Sequence, residues 1–173
     1  MAATVSIKQF TGSGPTATSI SNLRFCLADA ANDGSAHSIQ APGSGSVQSF
    51  VAVLSPNADT APTTGINNVK FYTSGTNPWS GPTFQASKGG TYTQATGTTS
   101  TGTVLNSTNF PGTSTAVDAF TYTSASPLAL SGSIAAATGR VTSDYLFLQM
   151  TVPSTTVQGI LAQSTAYVQY DES

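Results

Sequence analysis

Few side chains in this sequence can do acid–base, nucleophilic or metal chemistry, and their spacing limits what each can do. Among 173 residues there are one His, one Cys, one Glu, six Asp, three Lys and two Arg. His37, in NDGSAHSIQ, is the single imidazole, so a Ser-His-Asp triad would have to run through it, with one of 24 serines as nucleophile. The string GSGS around Ser44 is not the G-x-S-x-G elbow, because Pro42 breaks the pattern. His37 therefore reads as an exposed loop residue. Cys26 is alone, which excludes an intrachain disulfide, and in LRFCLA it reads as a buried core thiol. One His and one Cys cannot build a zinc site unless carboxylates converge on them.

The carboxylates are no more suggestive. Asp29, Asn32, Asp33 and Gly34 resemble part of a calcium loop, but Ala31 fails its third position and Gln40 stands where the bidentate Glu belongs. Asp33-Gly34 reads instead as a turn. Sugar hydrolysis needs two acids about 5–10 Å apart. Asp171 and Glu172 are adjacent, so on a strand they point to opposite faces and read as solvating their end of the chain. Asp59, Asp118 and Asp144 are isolated and would meet only at loop ends. Asn106-Ser107-Thr108 fits the N-glycosylation pattern, which matters only on a eukaryotic secretory route. The expectation is a protein without catalytic residues, metal or cofactor.

What replaces the charges is Thr and Ser, 28 and 24 residues respectively. Charged residues make up 7%, against roughly a quarter in an ordinary soluble domain. The five basic residues, Lys8, Arg24, Lys70, Lys88 and Arg140, are scattered, so a phosphate backbone finds no cluster to bind. No apolar run approaches the roughly 20 residues that cross a bilayer as a helix. Nucleic acid and membrane are not expected partners. MAATVSIKQF lacks the basic start and apolar run of a secretory signal, yet the composition suits a protein that works outside cells. Either a signal was removed, or the protein is made in a host cytoplasm and released by lysis, as virion proteins are.

Positioning falls to strands. Thr, Val, Tyr and Phe exceed Glu, Lys and Arg, and period-2 alternation recurs along the chain. The alternation predicts strands around Val5 and Ile7, at 23–27, at VQSFVAVL (47–54, covered on both faces), at INNVKFYT (66–73), at 116–123, at 128–134, at DYLFLQMTV (144–152, ended by Pro153) and at 166–170. Residues 74–115 read as a Thr/Ser/Gly-rich excursion, with short β-like pieces at 91–95 and 103–105 in projecting hairpins. Eight to ten strands, no amphipathic helix and no fixed-period repeat predict a single all-β domain over 1–173. Its architecture is an antiparallel β-sandwich, either a jelly roll or an elaborated immunoglobulin-like fold.

Aromatics are the remaining candidates. FYTSGTNPWSGPTF carries Tyr72, Trp79 and Phe84 among Gly and Pro. They either stack on a sugar or anchor a protein interface, or Trp79 plugs one end of the sandwich. A chain with so few charges also lacks the Lys residues that usually block edge pairing. The segment Ala2 to Phe10, with Val5, Ile7 and Phe10, and the strand Ala166 to Glu172, with Tyr167 and Tyr170, are therefore expected to pair at an interface.

The segments NVKFYTSGTNPWSG and DYLFLQMTVPSTTVQGILAQSTAYVQYDE, together with the Thr/Ser/Gly-rich middle, resemble β-sandwich virion surface proteins of tailed phages and related viruses, the capsid decoration proteins. That resemblance implies a small subunit bound outside a capsid lattice, often as a trimer, with capsid protein and itself as partners and the virion as its location. A self-polymerising fibre or pilus-like subunit and a carbohydrate-binding module are the alternatives.

Overall fold

DYLFLQMTV carries the alternation furthest, and in a computed structural model it forms β10 (Tyr145–Pro153) in the interior of the larger of two sheets. The structure describes residues 2–25, 29, 31, 47–95, 113–157 and 161–173. β10 lies antiparallel between β3 (Val47–Ala58) and β5 (Thr83–Gly89). Beyond β3 come β1 (Val5–Thr11) and then β2 (Thr16–Ile20); beyond β5 comes the two-residue β6 (Val117–Asp118). The smaller sheet is built on β4 (Gly65–Thr73), with β11 (Ala166–Glu172) on one side and the short β7 (Leu128–Ala129) and β8 (Ile134–Ala135) also paired to it. β9 (Gly139–Arg140) pairs with β3. Two antiparallel sheets packed on each other make the molecule a β-sandwich, as the alternation predicts.

The pleat explains why β10 tolerates burial throughout. Leu146 and Leu148 face the smaller sheet and join Ala52, Leu54, Phe84 and Ala86 against Ile66, Val69, Phe71, Leu128 and Leu130. Tyr145 and Phe147 face the other way, into a second cluster with Phe10, Val53 and Ala95, which Tyr92, Val51 and Ala116 partly cover. The larger sheet is thus covered on both faces at its middle, and residues 51–54 read as such from their near-continuous apolar run. Each large aliphatic or aromatic side chain fully removed from water there contributes about 1.5–3 kcal/mol.

Several expected elements differ. Residues 74–115 do not simply leave the sheet, because β5 lies within that stretch as an inner strand; its Phe84 and Ala86 face the core while Gln85 and Ser87 face away. Tyr92 to Ala95 form no strand and instead lie over the outer cluster; 103–105 fall outside the described residues. Leu23 and Phe25 pack against the core without forming a strand. The 116–123 segment keeps only two strand residues. Asp118 then accepts the Phe120 N–H at 3.0 Å and caps a single 3-10 turn, Ala119–Thr121. The 128–134 segment breaks at Gly132, whose φ is +108° and whose Cβ, if it had one, would fall 2.3 Å from the Ser143 nitrogen.

β1 departs from expectation most consequentially. It is not an edge: it pairs with β2 on one side and β3 on the other. Among the described residues the edge on that side is β2, joined to β1 by a turn that starts at Gly12 (φ +85°).

Candidate functional site

Of the eight residues expected at an interface, only Tyr72 and Tyr167 come together on the surface. They lie directly opposite on β4 and β11 and stack at 4.9 Å with 15° between ring planes. Tyr167 is 44% exposed. Val5 and Ile7 are half-buried against the core, as is Tyr170. Phe10 and Phe84 are corrections: they are 8% and 6% exposed and belong to the chain's own two clusters, because strand parity turns each inward.

Trp79 closes one end of the sandwich. Its ring meets Phe84 at 5.8 Å and Phe120 at 5.7 Å, both edge-to-face, and Phe25 adds a further edge contact to Phe84. Asn77 accepts the Trp79 backbone N–H at 2.9 Å, and the indole N–H donates to the Ala162 carbonyl at 2.6 Å. With its polar handle used and its ring wedged between two phenylalanines, Trp79 is an end plug and not a free stacking platform.

Two polar constellations were not legible in the sequence. Lys88 Nζ lies 3.5 Å from Ser131 Oγ, a spacing that superficially suits a serine–lysine nucleophile. The lysine is instead a donor, to the Ala129 carbonyl at 2.7 Å and to Asp144 at 3.4 Å, while Asp144 also accepts the Ser131 N–H at 2.7 Å. The cluster ties β5 of the larger sheet to the segment around β7 of the smaller one. The second constellation centres on Asp29, which accepts from the Gly12 N–H and from Gln94 Nε2, each at 2.7 Å. Tyr92 completes it by donating its hydroxyl to the Gly12 carbonyl at 2.7 Å. Asp29 thus anchors the β1–β2 turn. Asn32, Asp33, Gly34 and Gln40 of the calcium-like loop, with His37, Cys26, Ser44 and Asn106, lie outside the described residues. Among the described residues no three of His, Cys, Asp and Glu form a metal-holding group. No helix there is long and apolar enough to cross a membrane.

Burial pushes the Tyr92 phenol up to about 12, with the Asp29 charge and Tyr145 adding to the effect. The folded state therefore keeps a proton that the unfolded chain releases near 10, so this contribution to stability is full below pH 10 and is lost as pH rises toward 12. Alkaline titration followed by phenolate absorbance is expected to contain a late component near pH 12 that Tyr92→Phe removes. Its persistence in that variant would refute the assignment.

Two of the outer strands, β2 and β11, differ in how they are guarded. β11 has a register shift between Gln169 and Asp171, where Asn68 and Val69 of β4 stand opposite Tyr170 alone. Asn68 takes the left-handed conformation (φ 52°) that Asn tolerates, and it donates to Asp171 at 2.7 Å. Glu172 accepts the Ala3 N–H at 2.7 Å. Two acids on an outer strand are a usual protection of a sheet edge, and the β4 bulge beside them adds local twist. β2 reads TATSI: it has no charge, proline or bulge, and its first four residues are exposed.

No family model matches this chain, and no characterised protein or solved structure matches it.

Proposed function

We propose that this chain is a structural subunit of a virion surface, a capsid decoration subunit that binds the outer face of the shell and stabilises it. The observation that carries the reading is the uncharged β2 edge, unpaired on its outer side among the described residues, in a chain rich in Thr and Ser and poor in charge. Such a surface packs against a neighbour without charges that must be desolvated or paired. An open strand edge adds directional backbone hydrogen bonds to that contact. A fibre subunit that polymerises alone is the second reading, favoured by outer strands on both sheets, β2 and β11. A carbohydrate-binding module would have to rest on Tyr72 and Tyr167, since Trp79 is committed to the end of the sandwich.

Immunogold electron microscopy of a source lysate, with antibody to this chain, tests the proposal. Gold on icosahedral shells is the expected result. Gold along filaments would replace it with the fibre reading, and label on neither would end both.

A further inference from the structure

We infer that the β2 edge binds a second copy of itself, joining two larger sheets across a twofold axis through Thr18. The inference deepens the virion reading and rests on the same edge: the neighbour that β2 takes is a second copy, which leaves the rest of the Thr- and Ser-rich surface to meet the shell. It starts from the direction of the backbone groups. The Asp59 N–H donates to the Thr4 carbonyl at 2.8 Å, so even-numbered residues of β1 turn their N–H and C=O groups toward β3. The odd-numbered ones then turn toward β2, where Ile7, Gln9 and Thr11 lie opposite Ile20, Thr18 and Thr16. On β2 the alternation leaves Ala17 and Ser19 with both backbone groups aimed away from β1. Among the described residues no strand pairs with that side.

Two donors and two acceptors therefore line this edge, symmetrically about Thr18. When a second β2 is laid antiparallel, Ala17 of each copy faces Ser19 of the other, and each pair exchanges two hydrogen bonds. All four outward groups on each copy are satisfied, and none is left over. Thr18 meets Thr18 on the axis, a favourable cross-strand pair. No charge of β2 meets a like charge, because β2 has none. Pro15 stands in the turn before the strand and blocks neither outward position. The contact is isologous, so it closes as a dimer and does not run on into a fibre. The competing edge, β11, is less open, because Asp171 and Glu172 place two like charges on it and both are bonded within the chain.

Sedimentation velocity on purified full-length chain, from about 1 µM to about 1 mM, tests the pairing. The mass is expected to move from 17.5 kDa to twice that value with concentration. Thr18→Lys and Thr18→Glu each place like charges together on the axis and should stay monomeric, while their equimolar mixture should regain the dimer. Ala17→Pro removes one outward donor per copy and should raise the dissociation constant about 100-fold, about tenfold for each lost bond. Its melting temperature should hold, since the lost N–H does not bond to β1. A monomer at every concentration would overturn the inference, as would an oligomer that none of these substitutions weakens. Neither result would bear on gold labelling of shells, so the two proposals fail separately.

Discussion

Deletion of residues 1–10 is expected to abolish the cooperative unfolding transition of this protein, and not merely its assembly. The alternation at Val5 and Ile7 is compatible with a detachable pairing arm, and such an arm would leave a folded sandwich behind when removed. The sheet order makes β1 an inner strand instead. Its loss breaks the ladder to β3 from Val5↔Ala58 to Phe10↔Val53 and leaves β2 without a paired strand among the described residues. It also takes Phe10 from the outer cluster, Val5 and Ile7 from the core margin, and Lys8 from its 2.9 Å ion pair with Asp59. Phe10, nearly fully buried, contributes about 1.5–3 kcal/mol, and each ladder hydrogen bond about 0.5–1.5 kcal/mol net. Together these losses rival the about 5–15 kcal/mol that holds an ordinary domain folded. Circular dichroism during a thermal ramp reads the result: a sigmoidal melt for the whole chain and a shallow drift for the truncated one. A truncated chain that melts as sharply and as late as the whole one would show β1 to be dispensable.

The same strand explains what was legible and what was not. Period-2 patterning locates a strand wherever one face is apolar, so β4, β10 and the apolar end of β3 stood out, and in β10 the alternation puts Leu146 and Leu148 on one face and Tyr145 and Phe147 on the other. Patterning does not record which strands are neighbours. β1 therefore resembled a free arm, while the true edge, Thr16–Ile20, went unread because an exposed edge strand needs no apolar face. β5 was hidden for a related reason: Ala86 and Ser87 are fully buried, but small residues leave little periodic contrast with their neighbours. Breaks in the 116–123 and 128–134 runs come from single residues, the Asp118 cap and the crowded Gly132, which hydrophobic periodicity cannot weigh. The site was legible only as residue types. Tyr72 and Tyr167 are 95 positions apart in sequence (167 − 72), and only the β4–β11 register makes them a pair.

Phe84 is where the interface and core readings give opposite results. As an interface anchor, its truncation would weaken assembly and leave the subunit intact. As a core residue 6% exposed, bounded by Phe25 at 5.9 Å and by Trp79 and Phe120 each at 5.8 Å, it leaves a cavity when cut to Ala. Phe84→Ala is therefore expected to cost about 3–5 kcal/mol, lowering the melting temperature by about 6–20 °C in a chain of this size. Trp79 is the only tryptophan, so its emission reports the same event locally and should shift to longer wavelength as water enters the end cluster. Tyr167→Ala is the control. Its ring is 44% exposed and stacks on Tyr72, a pairing worth about 0.5–1.5 kcal/mol beyond the area it buries, so its stability loss should stay well below that of Phe84→Ala. If Phe84→Ala melted within about 1 kcal/mol of the parent chain, the end cluster would not be core and Phe84 would return to the list of interface residues. Phe84→Leu separates the remaining possibilities, because it refills most of the cavity without restoring an aromatic face. Stability and assembly recovering together in that variant would mean that Phe84 acts on any partner only through the fold that carries β2 and the tyrosine pair.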